Sequence, residues 1–139
     1  MRRNQWMVDQ LSAQVRAQKA MDEREYETAR DLLLELLTVL ERAGAPAGHV
    51  HWMLCITFDN LGELPMAMTH IEKALEVDPL SVPFHRSFDV ITDRLRAALV
   101  DESRAADDPS TPRLYDLLVR TGEADAASHL AMARWCVGS

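Results

Sequence analysis

The residues in this chain with chemistry to offer are its five histidines, two cysteines and a small group around Ser87. His49, His51 and His70 together suggest a metal site. On a helix, however, residues i and i+2 point apart, so His49 and His51 could chelate only if that helix began with an extended turn. They are expected to be surface histidines with hydrogen-bond partners of their own, and His85 and His129 stand isolated. Ser87 lies between His85 and Asp89, but the three alternate around a helix and cannot converge as a catalytic triad does. Cys55 is expected between packed helices, where a thiol is inert. No His-Glu-x-x-His, Cys-x-x-Cys or Gly-rich phosphate loop occurs in the sequence. These patterns imply neither enzyme nor metal protein, and no cofactor.

The elements that must position these residues are helices. Within residues 48–79, Trp52, Cys55, Ile56, Phe58 and Asp59 recur at helical spacing. Gly62 breaks that helix, and Ala67, Ile71, Ala74 and Leu75 then mark a second. Pro65 fits the first turn of the second helix, and Asp78-Pro79 ends it. Cys55 and Ala67 are small where two helices would cross, and Phe58 and Ile71 are large where they would interlock.

Around this hairpin, residues 4–21 predict a moderate amphipathic helix with Trp6, Met7, Leu11, Val15 and Ala17 as its apolar face. Residues 25–42 predict a stronger one, with a stripe of Tyr26, Ala29, Leu32, Leu33, Leu36, Leu37 and Leu40. Ser81 and Pro83 start a long helix over residues 82–104, whose apolar face is Phe84, Phe88, Ile91, Leu95, Ala98 and Leu99. Its pairing stays open. Residues 112–136 predict a last hairpin turning at Gly122, with Ser110 or Thr111 as its cap. Seven helices in one domain are expected. The apolar final helix carries no polar cap, which suggests a fragment of a longer array or a self-associating surface through Leu130, Ala131 and Trp135.

The order of large, small, turn, small and large residues resembles a tetratricopeptide repeat, W-x2-L-G-x2-Y followed by A-x3-F and P. The matching residues are Leu54-Cys55-x2-Phe58, Gly62, Ala67-x3-Ile71, Ala74 and Pro79. His51 stands where the signature has Trp, with Trp52 one residue along, and Cys55 replaces Gly. Ala29 and Leu33 take the Ala67 and Ile71 roles 38 residues earlier, against a standard period of about 34. Gly62 and Gly122 are 60 apart, which is not two periods.

The resemblance implies an all-α superhelix of stacked antiparallel hairpins, acting as a non-catalytic scaffold or adaptor that binds a segment of a partner protein in a concave groove lined by the first helix of each hairpin. Its expected lining is His49, Trp52, Met53, Ile56 and Asn60, then Arg86, Val90 and Arg94, with Gln14, Gln18 and Met21 in the first repeat. Trp52, Met53 and Ile56 are apolar beyond what the hairpin core requires. The Lys and Asn clamp by which some members of that family hold acidic chaperone tails is not reproduced, so micromolar binding of a free C-terminal carboxylate peptide is not expected. The alternatives are a small chaperone for one client and a self-associating unit.

Composition restricts the partners. With 15 basic and 22 acidic residues and a net charge of −7, nucleic acid and anionic membranes are disfavoured. Arg86, Arg94, Arg96 and Arg104 share the long helix with Asp89, Asp93, Asp101 and Glu102, a solvated face laced with ion pairs. No segment has the length of a membrane span. Two cysteines make no disulfide framework, so a reduced, cytoplasmic setting is expected.

Overall fold

Several helices in this chain end just before a residue in left-handed backbone. The computed structural model describes residues 2–101 and 108–138. Its helices are α1 (Arg2–Asp22), α2 (Tyr26–Arg42), α3 (Gly48–Asn60), α4 (Leu64–Val77), α5 (Val82–Leu99), α6 (Thr111–Arg120) and α7 (Ala126–Gly138). No strand occurs among the described residues. After α3, Gly62 takes φ +78°. The N–H of Glu63 then donates to the Phe58 carbonyl at 2.9 Å and that of Gly62 to Asp59 at 3.0 Å, so the last carbonyls of the helix are satisfied. The turn after α1 repeats this closure, with Glu25 donating to Ala20 at 2.8 Å and Arg24 to Met21 at 3.0 Å. There Arg24 holds φ 60°, where a Cβ costs about 1 kcal/mol relative to glycine.

Helix starts are set by side chains in two places. The N–H of Phe84 donates to Ser81 Oγ at 3.4 Å, the predicted cap of α5. Asp125 caps α7, accepting from the Ser128 N–H at 2.9 Å and from its hydroxyl at 2.8 Å. Those two bonds hold the Asp125 carboxyl below its ordinary range. α6 begins one residue earlier than predicted, and Ser110, expected as a cap, instead donates its hydroxyl to Asp108 at 2.7 Å. α5 ends at Leu99, and Glu102 and Arg104, placed on it by the sequence, lie outside the described residues.

The chain divides into two compact units, Met1–Ser87 and Phe88–Ser139, with the division inside α5. In the first unit α1 packs on α2, α2 on α3 and α3 on α4. Its two hairpins repeat at a step of 38 residues: Ala17 and Cys55, Ala29 and Ala67, Leu33 and Ile71, and Leu36 and Ala74 are all buried. Small residues occupy the same places at both helix crossings, which lets the backbones approach. Gly48 serves a similar end at the start of α3, where a Cβ would lie 3.1 Å from Val77 Cγ1. In the second unit α6 packs on α7. Ile91, Leu95, Leu99, Leu114 and Leu118 are buried there. Arg96 donates to the Glu123 carbonyl at 2.8 Å and to its carboxylate at 3.2 Å, and also pairs with Asp93.

The apolar face predicted for α1 is inverted. Of Trp6, Met7, Leu11, Val15 and Ala17, only Ala17 is buried; the helix docks on α2 through Ala17, Ala20 and Met21. Close packing favours the small side chains here, and the larger ones face outward.

Ala67 has no accessible surface. Ala67→Leu is therefore expected to destabilise the first unit by about 1–3 kcal/mol through overpacking, measured as a lower urea midpoint. A midpoint equal to that of the parent chain would show that the α3–α4 crossing is not tightly packed.

Candidate functional site

α3 is buried over most of its circumference, and this decides what its predicted groove residues do. His51, Cys55 and Phe58 lie on the side turned to α4. Val50, Met53 and Thr57 lie on another side and are buried as well, where α2 is the second helix packed on α3. Met53, expected to meet a partner, is 1% exposed and belongs to the core. Met21, expected to line the groove in the first repeat, is likewise buried.

Trp52 is half-buried and has partners of its own. Its indole N–H donates to Ser87 Oγ at 2.8 Å. Its ring lies 5.9 Å from Phe84 and 5.3 Å from the exposed His49. The side chain thus clasps α3 to the first turns of α5. Ile56 is half-buried beside it, and the exposed Asn60 donates to the Ile56 carbonyl at 2.8 Å. What α3 leaves accessible is a narrow edge of His49, Trp52, Ile56 and Asn60. On α5, Arg86 is exposed in the first unit, and Val90 and Arg94 are exposed in the second. Gln14 is half-buried, and Gln18 donates to Asp22 at 2.9 Å.

The larger accessible apolar surface is on α1. Met7, Leu11 and Val15 recur at i, i+4 and i+8, with Val8 beside them, and Leu11 and Val15 are 60% and 67% exposed. One hairpin step of 38 residues places Val15 in register with Met53 and Leu11 with His49. Val15 is thus open on α1 at the place where α3 buries Met53, while His49, like Leu11, is exposed. Residue type alone could not disclose this, because which apolar face of a helix is covered depends on its neighbours.

His49 is exposed as expected, but two of the histidines depart from the surface placement expected of them. His51 and His70 are 6% and 5% exposed. Their Nδ1 atoms are 2.9 Å apart and their ring centroids 5.1 Å, and Phe58 stacks on His70 at 5.4 Å. Burial lowers both pKa values, that of His70 to about 4. His129, expected alone, meets the Tyr115 hydroxyl at 2.8 Å through Nδ1. His85 donates through Nε2 to the Pro79 carbonyl at 2.6 Å. Burial pushes the Cys55 thiol up to about 12, with Asp59 adding to the effect, so it is unreactive at neutral pH.

On α7, Leu130 is 52% exposed, Ala131 is half-buried, and Trp135 donates its indole N–H to the Asp108 carbonyl at 2.8 Å. Trp135 therefore fastens α7 to the segment before α6, and of the three residues expected to self-associate the open one is Leu130. Among the described residues no group of three or more His, Cys, Asp or Glu could hold a metal ion, and no helix is long and apolar enough to cross a membrane. Comparison with family models, curated proteins and solved structures finds no match.

Proposed function

We propose that this chain is a non-catalytic protein-interaction module, a tetratricopeptide-like stack of hairpins that takes a segment of another protein. One observation carries the reading: Val15 is 67% exposed, while Met53, one hairpin step later, is 1% exposed. α1 thus presents, uncovered, the kind of face that this fold elsewhere closes with a helix. An amphipathic helix with apolar residues at i, i+4 and i+7 would fit it, and the edge residues His49 and Asn60 would add polar selection. The sequential packing of α1 to α4 supports a stacked, superhelical arrangement, with each helix placed on its neighbour in the chain.

The test is a paired substitution, Leu11→Glu with Val15→Glu. Both residues are exposed, so the stability should change by no more than about 0.5 kcal/mol. Proteins retained from the native cell extract by the parent chain should be lost, and the affinity of the purified partner should fall at least about tenfold, since two charges would be placed in an apolar contact. Retention unchanged by the pair would remove α1 from the interface. A second reading, self-association, draws on the exposed Leu130 of α7. Light scattering of the parent chain and of Leu130→Glu separates the two, because only self-association makes the mass of the free protein depend on Leu130.

A further inference from the structure

The pair formed by His51 and His70 is the least ordinary polar arrangement in the chain. Both rings are buried, one on α3 and one on α4, the two helices whose packing makes the central hairpin. A separation of 2.9 Å between two Nδ1 atoms is a hydrogen bond, and it admits one proton. One ring must be the tautomer that carries hydrogen on Nδ1, and the other must present a bare Nδ1 and carry its hydrogen on Nε2. The charged groups that act on the pair are Glu41 on α2 and Lys73 and Glu76 on α4. Lys73 opposes a positive charge on either ring, while Glu41 and Glu76 favour one on His51.

We propose that His51 and His70 form an acid-operated release in the α3–α4 hairpin: the closed hairpin holds a single proton between the two rings, and taking up a second on the facing nitrogens forces α3 and α4 apart. A first added proton can go to the free Nε2 of the donor ring and leave the N–H···N bond intact. The next must go to the acceptor Nδ1. It sets two N–H groups and two positive charges against each other in a desolvated space beside Lys73, with Phe58 stacked on His70. The hairpin then opens, because each ring can be hydrated only outside the core.

The linkage has a definite sign. Burial is the first cause of the lowered pKa of both rings, ahead of Lys73 for His51 and ahead of His51 itself for His70. A histidine in the opened hairpin regains its ordinary value of about 6.5. The open state therefore binds more protons, and closure is fully favoured above pH 6.5. It weakens as the pH falls from there toward about 4, the value reached by His70 in the closed hairpin. With two protons linked, the opening constant rises by up to about 100-fold per pH unit inside that window.

Amide hydrogen exchange of the full chain at pH 7.5 and pH 5.0, corrected for intrinsic rates, tests this. Protection of α3 and α4 should fall at least about tenfold at the lower pH, while α6 and α7 keep theirs. In His51→Leu with His70→Phe, an apolar pair of similar volume, the acid loss in α3 and α4 should disappear. If that variant does not fold, a nitrogen-15 NMR titration of the imidazoles in the parent chain decides instead. Protonation of the second ring should coincide with the loss of protection. Protection of α3 and α4 that holds to pH 4.5, that falls equally in the apolar variant, or that survives protonation of both rings overturns the proposal.

Discussion

Trp52→Ala is expected to lower the stability of the first unit by about 2–4 kcal/mol, the larger part from lost packing. The ring lies against Phe84 and His49, and the indole N–H is held by Ser87 Oγ at 2.8 Å. Truncation opens a gap between α3 and the start of α5 and strips the Ser87 hydroxyl of its donor. Ser87→Ala should cost about 1 kcal/mol, because it removes the acceptor and leaves a half-buried indole N–H unpaired. In a double-mutant cycle of Trp52→Phe with Ser87→Ala, the coupling should be about 0.5–1.5 kcal/mol, since Phe keeps most of the packing and lacks the N–H. Urea denaturation followed by circular dichroism measures all three. A loss below about 0.5 kcal/mol for Trp52→Ala, the range of neutral surface changes, would mean that the clasp does not form. The sequence reading places Trp52 in a partner groove, apolar beyond what the hairpin core requires. The structure makes Trp52 part of what it was supposed to report on, so α1 is the better place to probe binding.

Ile71→Ala should be at least as damaging, at about 3–4 kcal/mol, with Ile71→Val near 1 kcal/mol. Ile71 has no accessible surface and sits among Leu54, Cys55, Ala67, Met68 and Ala74, all at 1% exposure or less. A core this close-packed leaves a cavity on truncation that its neighbours fill only in part. The 38-residue repeat supplies an internal control: Leu33 occupies the equivalent place in the first hairpin and is also fully buried, so Leu33→Ala should cost a similar amount. For a unit of this size such losses lower the melting temperature by on the order of 10–20 °C. The slope of the urea transition should stay unchanged, because the cost is in the folded state. A loss under about 1 kcal/mol for Ile71→Ala would show that α3 and α4 are loosely packed where they cross.

The central hairpin was legible in advance because a helix crossing leaves a trace in residue size. Cys55 and Ala67 are small, Phe58 and Ile71 are large, and all four are buried as their types suggested. The all-helical content was legible from periodicity and from the turn residues Gly62 and Gly122, both at positive φ. What was hidden depends on partners far away along the chain. Met53 was placed on an open face because α3 has few polar residues to mark which side is covered, and α2 covers more of it than one hairpin would. The outward stripe of α1 was mistaken for its core because alanines signal burial weakly, although Ala17 and Ala20 are the residues that let α1 approach α2. His51 was assigned to the surface on polarity alone, and its partner His70 is 19 positions away. Ser87, 35 positions from Trp52, left no pattern at all. Size and period travel along one helix, whereas buried hydrogen bonds belong to pairs of helices.

Neighbour-on-neighbour packing in the first unit also sets how fast it can be made. From α1 to α4 each helix needs only the one that precedes or follows it, so every docking step closes a loop of a few residues and little chain entropy is lost before contacts repay it. Chains with this kind of wiring reach their native state within microseconds to milliseconds. A nascent copy leaving the ribosome at about 5–20 residues per second would therefore complete the α1–α2 pair well before the last residue of α4 had emerged.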